Sequence, residues 1–273
     1  MEEKRPFYEL PLGYPTEDLP EPDVLRDIAY AGDDETSPRL DIYRPRTAPP
    51  DSGFPLLIFL HGGPQLPGPG RPWPKDWRVF QDYGRLAAAN GIAAAIPNHR
   101  YSSYEMLPLA LQDSQTAVRF LIDESVQFGL DSDRLAVWAF SGAGMLLSPY
   151  LSGELPGLRA LAAFYPMLDL THIEQATAAH SEQQLIALSP LSHIETLAPA
   201  LPILLSRAGL DRPGLNRALD TFVKQALYHN LNLEVHNLPQ AGHGFDFVEQ
   251  NNTAVRETIK RGMDFVSSHF RGN

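Results

Sequence analysis

The chain contains no cysteine. That absence excludes a disulfide framework, a thiolate nucleophile and a Cys-ligated metal site, and it leaves the redox compartment open. Positive charge is also scarce, with 22 Lys and Arg against 33 Asp and Glu and a net charge of -11. Such a balance argues against a nucleic-acid surface and against docking on anionic lipid, and favours a small-molecule or neutral partner. No uninterrupted apolar run approaches the ~18 residues of a membrane span. Met1 to Arg5 carries both signs of charge and is followed by Pro6, Pro11, Pro15, Pro20 and Pro22 rather than by an apolar stretch, so it reads as no signal peptide and the expected location is cytoplasmic. Internal repeats and low-complexity segments are lacking as well.

What is present is enough apolar material for a large core: 273 residues, 43% of them hydrophobic, with one domain over 1–273 as the expectation. Residues 1–26 read as a proline-punctuated arm, because proline removes a backbone donor and fixes φ. Such an arm could serve as a lid or as a homodimer contact. Short strands are expected at Leu25 to Tyr30 and Leu40 to Tyr43 around the polar turn Gly32-Asp33-Asp34-Glu35. The apolar runs Phe54 to Leu60, Ile92 to Ile96 and Leu135 to Phe140 read as buried strands, and Leu158 to Tyr165, Leu201 to Ser206 and Leu231 to Leu238 read as further strands.

Helical spacing covers Trp77 to Ala89, Leu107 to Phe128, Asn216 to His229 and Val248 to Phe270, with glycines 91 and 129 as stops. Gln65 to Lys75 is an irregular loop rich in proline that carries Trp73. The polar, Ala-rich stretch 167–199 reads as one or two short helices forming a small cap. Alternating strands and helices predict an α/β fold with a mainly parallel sheet and helices on both faces.

In such sheets ligand sites form beyond the carboxyl ends of the strands. Four of those ends carry chemistry: His61-Gly62-Gly63, then Ser141, then Asp211, then Gly242-His243-Gly244. Ser141 follows the apolar run Val137-Trp138-Ala139-Phe140 and precedes Gly142-Ala143-Gly144, the pattern of a strand, a sharp turn and a helix over Met145 to Leu151. Taken alone, Ser141 reads more readily as an N-cap for that helix than as a nucleophile.

The order Ser, Asp, His across these strand ends resembles the α/β-hydrolase superfamily, in its esterase and dienelactone-hydrolase-like branches, from about Leu40 to the C-terminus. The resemblance implies Ser141 as nucleophile, His243 as base and Asp211 as the acid that orients it. It also implies an oxyanion hole from the backbone N–H groups of Gly142 and of Gly62 or Gly63. Serine needs a base to take its proton, imidazole titrates in the useful range, and each preorganised oxyanion donor contributes about 3 to 4 kcal/mol. Ala139 and Ala143 stand where the family pattern has glycines, Pro64 has no N–H to act as a third donor, and serine replaces the cysteine of dienelactone hydrolases.

Other residues have plainer readings. His61 fixes the glycine loop, Asp169 is the rival for the acid, and Asp246 is an N-cap for the last helix. His99, His172, His180, His193, His229, His236 and His269 have no motif around them. Trp73 and Trp77 either line a substrate pocket or pack the loop. The resemblance implies hydrolysis of small carboxylic esters with no metal and no organic cofactor. A peptidase of the prolyl-oligopeptidase type and a non-catalytic ligand-binding member of the same fold remain as alternatives.

Overall fold

The computed structural model describes residues 5–32, 37–64 and 71–271. Asp33, Asp34 and Glu35 of the expected polar turn and the first part of the proline-rich loop, 65–70, lie outside the described residues. Eight strands form one sheet: β1 Asp23–Ala29, β2 Arg39–Arg44, β3 Phe54–Leu60, β4 Ala93–Pro97, β5 Leu130–Phe140, β6 Leu158–Phe164, β7 Ile203–Ala208 and β8 Leu233–Leu238. Their spatial order is β1-β2-β4-β3-β5-β6-β7-β8. The β1–β2 and β2–β4 pairs are antiparallel and every later pair is parallel. The expected antiparallel edge is therefore present, with β1 starting inside the segment read as an irregular arm.

The helices are α1 Arg78–Ala89, α2 Leu107–Asp123, α3 Ser125–Phe128, α4 Glu174–Ala179, α5 Glu182–Leu188, α6 Pro213–Tyr228, α7 Phe245–Val248 and α8 Thr253–Phe270. Strand pleating explains their layering. Along β3, Leu56, Ile58 and Leu60 join one core with α2 and α6, whereas Leu57 and Phe59 join the other with α1 and α8. Residues buried on both faces read as continuous apolar runs, which is why the central strands stand out in the sequence.

Several boundaries differ from the sequence reading. The helix expected over Leu107 to Phe128 breaks at Glu124 into α2 and α3, and α3 ends at Gly129, whose φ of 65° suits glycine. β5 begins five residues earlier than expected: Leu130 and Asp131 pair with Phe54 and Pro55 of β3, and after a register shift over the polar residues 132–134 the pairing resumes at Leu135 opposite Leu56. The expected helix over Met145 to Leu151 is instead a run of 3₁₀ turns over Ser141–Tyr150; Pro149 lies inside it and cannot donate an α-helical hydrogen bond.

The last helix starts at Thr253 rather than Val248, and its N-cap is Asn252, whose side chain accepts from the N–H groups of Ala254 and Val255. Asp246 is therefore not that cap. Between 167 and 199 lie the two short helices expected, α4 and α5, followed by a 3₁₀ segment at Pro190–Thr196. Among the described residues no helix is long and apolar enough to cross a membrane.

Candidate active site

β5 delivers Phe140 fully into the core and then reverses sharply. Ser141 has φ of 53°, a left-handed conformation unusual for a residue with a side chain. The reversal is held by its surroundings: the Ser141 carbonyl accepts from Met167 N–H at 2.9 Å, and the small residues after it let the chain pass close to the loop after β3. The result exposes Ser141 Oγ at the carboxyl end of the sheet.

Two other strand ends converge on that oxygen. The loop after β8 brings His243, whose Nε2 lies 2.7 Å from Ser141 Oγ. The loop after β7 brings Asp211, whose Oδ2 lies 2.6 Å from His243 Nδ1. Asp211 can only accept in its ionised form, so Nδ1 carries a proton and neutral His243 has Nε2 free to accept from the serine hydroxyl. Burial pushes the Asp211 carboxyl up. The bond to His243, its charge when protonated, and the Arg212 N–H at 2.7 Å from Oδ1 outweigh that and hold it below the usual aspartate value.

Asp169, the rival acid, is turned away. Its Oδ1 accepts from the N–H and the hydroxyl of Thr171 at 2.9 and 2.7 Å. The glycine loop after β3 meets the elbow directly: a Cβ on Gly62 would lie 2.9 Å from Ser141 Cβ. His61 is fully buried and donates from Nδ1 to the Gly62 carbonyl at 2.9 Å, while its Nε2 accepts from His99 N–H at 3.3 Å. Those two bonds fix one tautomer of a neutral ring, and burial pushes the His61 imidazole down to about 4. His99, without a motif in the sequence, stacks on it at 3.6 Å between ring centroids.

A cavity of about 280 Å³ opens beside Ser141, walled by Trp77, Phe80, Phe140, Tyr165, Phe247 and Phe7. Trp77 thus lies on the site. Trp73 does not line the cavity and is 41% exposed, so its ring serves the loop surface instead. Phe7 comes from the N-terminal arm and meets the Trp77 ring edge-on at 4.9 Å. The arm is tied down by Leu12 N–H on Asp82 at 3.1 Å and by the Gln250 side chain on the Pro11 carbonyl at 2.9 Å.

Segment 167–199 contributes no residue to this cavity. It borders a second one of about 570 Å³, with Asp169, His172 and Glu174 facing Arg212 and Arg217. Arg212, not singled out in the sequence, places Nη2 3.4 Å from His243 Nε2. Tyr165, the residue after β6, and Arg212, next to Asp211, stand at strand ends where the sequence could have flagged them, whereas Phe7 comes from the N-terminal arm, whose path the sequence does not specify.

Comparison with known proteins agrees with this architecture. The BD-FAE family model matches residues 40–154. An ethyl acetate hydrolase of Pseudomonas putida is 31% identical over 156 residues, 55% of this chain and 46% of that protein, so the chain spans about half the length of this relative. Among solved structures, esterase 2 of Thermogutta terrifontis, phosphoramylated by tabun, superimposes with a TM-score of 0.72 at 20% identity, covering 92% of this chain and 96% of the other. An inhibited esterase B from Lactobacillus rhamnosis gives 0.72 at 17% identity, covering 92% and 90%. With a sheet of this order and a superposition that covers 92% of the chain, the chain has the α/β-hydrolase fold.

Proposed function

We propose that the protein is a serine hydrolase that cleaves small carboxylic esters through an acyl-enzyme on Ser141. The observation that carries this reading is the unbroken hydrogen-bonded line from Asp211 through His243 to Ser141, at 2.6 and 2.7 Å, formed by residues 32 and 102 positions apart. In this reading the Ser141 hydroxyl gives its proton to His243 Nε2 as Oγ bonds to the ester carbonyl carbon. Asp211 stabilises the imidazolium. The carbonyl oxygen gains negative charge beside the backbone N–H groups of Gly142 and of Gly62 or Gly63. His243 then returns the proton to the leaving alcohol as the carbon–oxygen bond breaks. Water repeats the sequence on the acyl-enzyme and releases the acid.

The aromatic walls and the modest volume of the cavity favour a small, uncharged or weakly polar group on the part of the ester that enters it. The ethyl acetate hydrolase named above supports the same substrate size. Phe7 makes the N-terminal arm one wall of the site, and the 167–199 segment stands over the neighbouring cavity as a cap. The test is turnover of p-nitrophenyl acetate by the purified chain and by Ser141→Ala and His243→Ala. Loss by several orders of magnitude without unfolding is expected, and equal turnover by Ser141→Ala refutes the nucleophile.

A further inference from the structure

Asp246 is 1% exposed, three residues past His243, and has no part in the reaction steps above. A carboxylate so deeply buried needs donors. It has two, from different parts of the fold: Tyr83 on α1 donates to Oδ2 at 2.9 Å, and Tyr165 at the end of β6 donates to Oδ1. Both tyrosines are themselves buried, and burial followed by the Asp246 charge pushes each phenol well above its usual range, so both are donors only. The titratable groups facing Asp246 are thus Tyr83, Tyr165 and, from its own loop, His243.

Tyr165 connects this cluster to the reacting groups. Its ring lies against the His243 imidazole with centroids 4.6 Å apart. Its backbone has φ of 40°, a left-handed conformation that is strained in a residue with a side chain and persists only when its surroundings impose it. The hydroxyl bond to Asp246 is one such restraint. Asp246 also accepts Gly13 N–H on its backbone carbonyl, which ties the N-terminal arm to the same point. Asp211 grips one end of the imidazole through Nδ1. The Asp246 cluster grips the chain just after His243 and the ring on which the imidazole rests.

We propose that Asp246 is a positioning residue for His243: by holding Tyr83 and Tyr165 on its two oxygens it fixes both the loop and the aromatic face that keep the imidazole between Ser141 and Asp211. This rests on the reading of Ser141 and His243 given above. The ionised form suits the task, since a proton on either oxygen would remove one of the two acceptor sites that the phenols occupy. Burial nevertheless pushes the Asp246 carboxyl up to about 6, against the pull of the two hydroxyls.

The experiment uses the full chain, p-nitrophenyl acetate kinetics, and the proton NMR signal of the His243 Nδ1–H that bridges to Asp211. Asp246→Asn is expected to lower kcat about tenfold to a hundredfold with KM within about twofold, because a small misplacement of a reacting group carries that penalty. The Nδ1–H signal is expected to shift or broaden. Tyr165→Phe keeps the ring and loses only the hydroxyl; it is expected to reproduce most of the loss and to add little in the double variant. An unchanged kcat and an unchanged signal in Asp246→Asn, whatever its melting temperature, overturn the proposal. If that variant does not fold, an unchanged kcat in Tyr165→Phe overturns it equally. Should the unaltered protein hydrolyse no ester, the Ser141 reading falls, while the Nδ1–H signal in the variants still decides the positioning role.

Discussion

Gly142 lies so close to Gly63 that a methyl group on the first would sit 2.6 Å from the carbonyl oxygen of the second. Neither partner in that contact is a flexible side-chain end, so a larger residue must displace backbone. The loop after β3 and the turn after β5 are thereby locked to one another, and the donors of the suggested oxyanion hole sit on these same two segments. Gly142→Ala is expected to lower kcat/KM for short acyl esters by about a hundredfold, the usual effect of losing one oxyanion donor. Steady-state kinetics on a variant with unchanged circular dichroism checks this, and wild-type turnover would separate the contact from catalysis.

Asp211 and Asp169 make opposite demands on the same experiment. Asp211 holds Nδ1 of His243 at 2.6 Å, whereas Asp169 serves Thr171. Asp211→Asn is expected to reduce kcat by about 10⁴, because an amide in that place can present a donor to the imidazole and select the wrong tautomer. Asp169→Asn should stay within about threefold of the unaltered protein, since the removed charge lies away from the line Asp211–His243–Ser141. The reverse ranking would move the acid to Asp169.

Phe7 and Trp77 wall the cavity beside Ser141, and Trp73 does not. Phe7→Ala and Trp77→Ala are each expected to shift preference among p-nitrophenyl acetate, butyrate and octanoate toward the longer acyl chains. The change in relative kcat/KM should be about tenfold, the value of one to a few methylenes in an apolar pocket. Trp73→Ala should leave the ranking unaltered. Identical profiles for all three variants would detach this cavity from substrate choice.

Asp246 gives stability a specific pH dependence. Burial pushes its folded carboxyl up to about 6, above the usual aspartate range of about 4. A raised folded value means that the folded state binds more protons across that window, so this residue's contribution to stability is greatest at the acid end and falls as pH rises from about 4 to about 6, with no further change above. Asp246→Asn should flatten that part of the curve. Urea unfolding midpoints across pH 4 to 7 test it, and an identical slope in both proteins would show that the residue does not titrate there.

Much of the sheet was legible because its central strands are buried on both faces. β3 matches its apolar run residue for residue, and β6 departs from its run by one position. The start of β5 was not, because Asp131, Ser132 and Asp133 are polar, and only Leu130 and Asp131 pair with β3 before the register shifts to Leu135. Local helical spacing likewise overran at Glu124 and at Pro149, where capping and proline chemistry decide the outcome. At the site, Ser141, Asp211 and His243 stood out as chemical residues at strand ends, and the structure brings these three together. Asp246 was misread for a physical reason: a carboxylate just before a helix looks like a cap, and only the tertiary fold supplies the two phenols that bury it.

The most direct test of Ser141 as an activated nucleophile is reaction with a fluorophosphonate probe followed by mass-spectrometric location of the adduct. The expected result is one adduct per chain, on Ser141, absent in Ser141→Ala and formed far more slowly in His243→Ala. An adduct on another residue, or ester turnover that persists while Ser141 stays unmodified by the probe, would contradict the account.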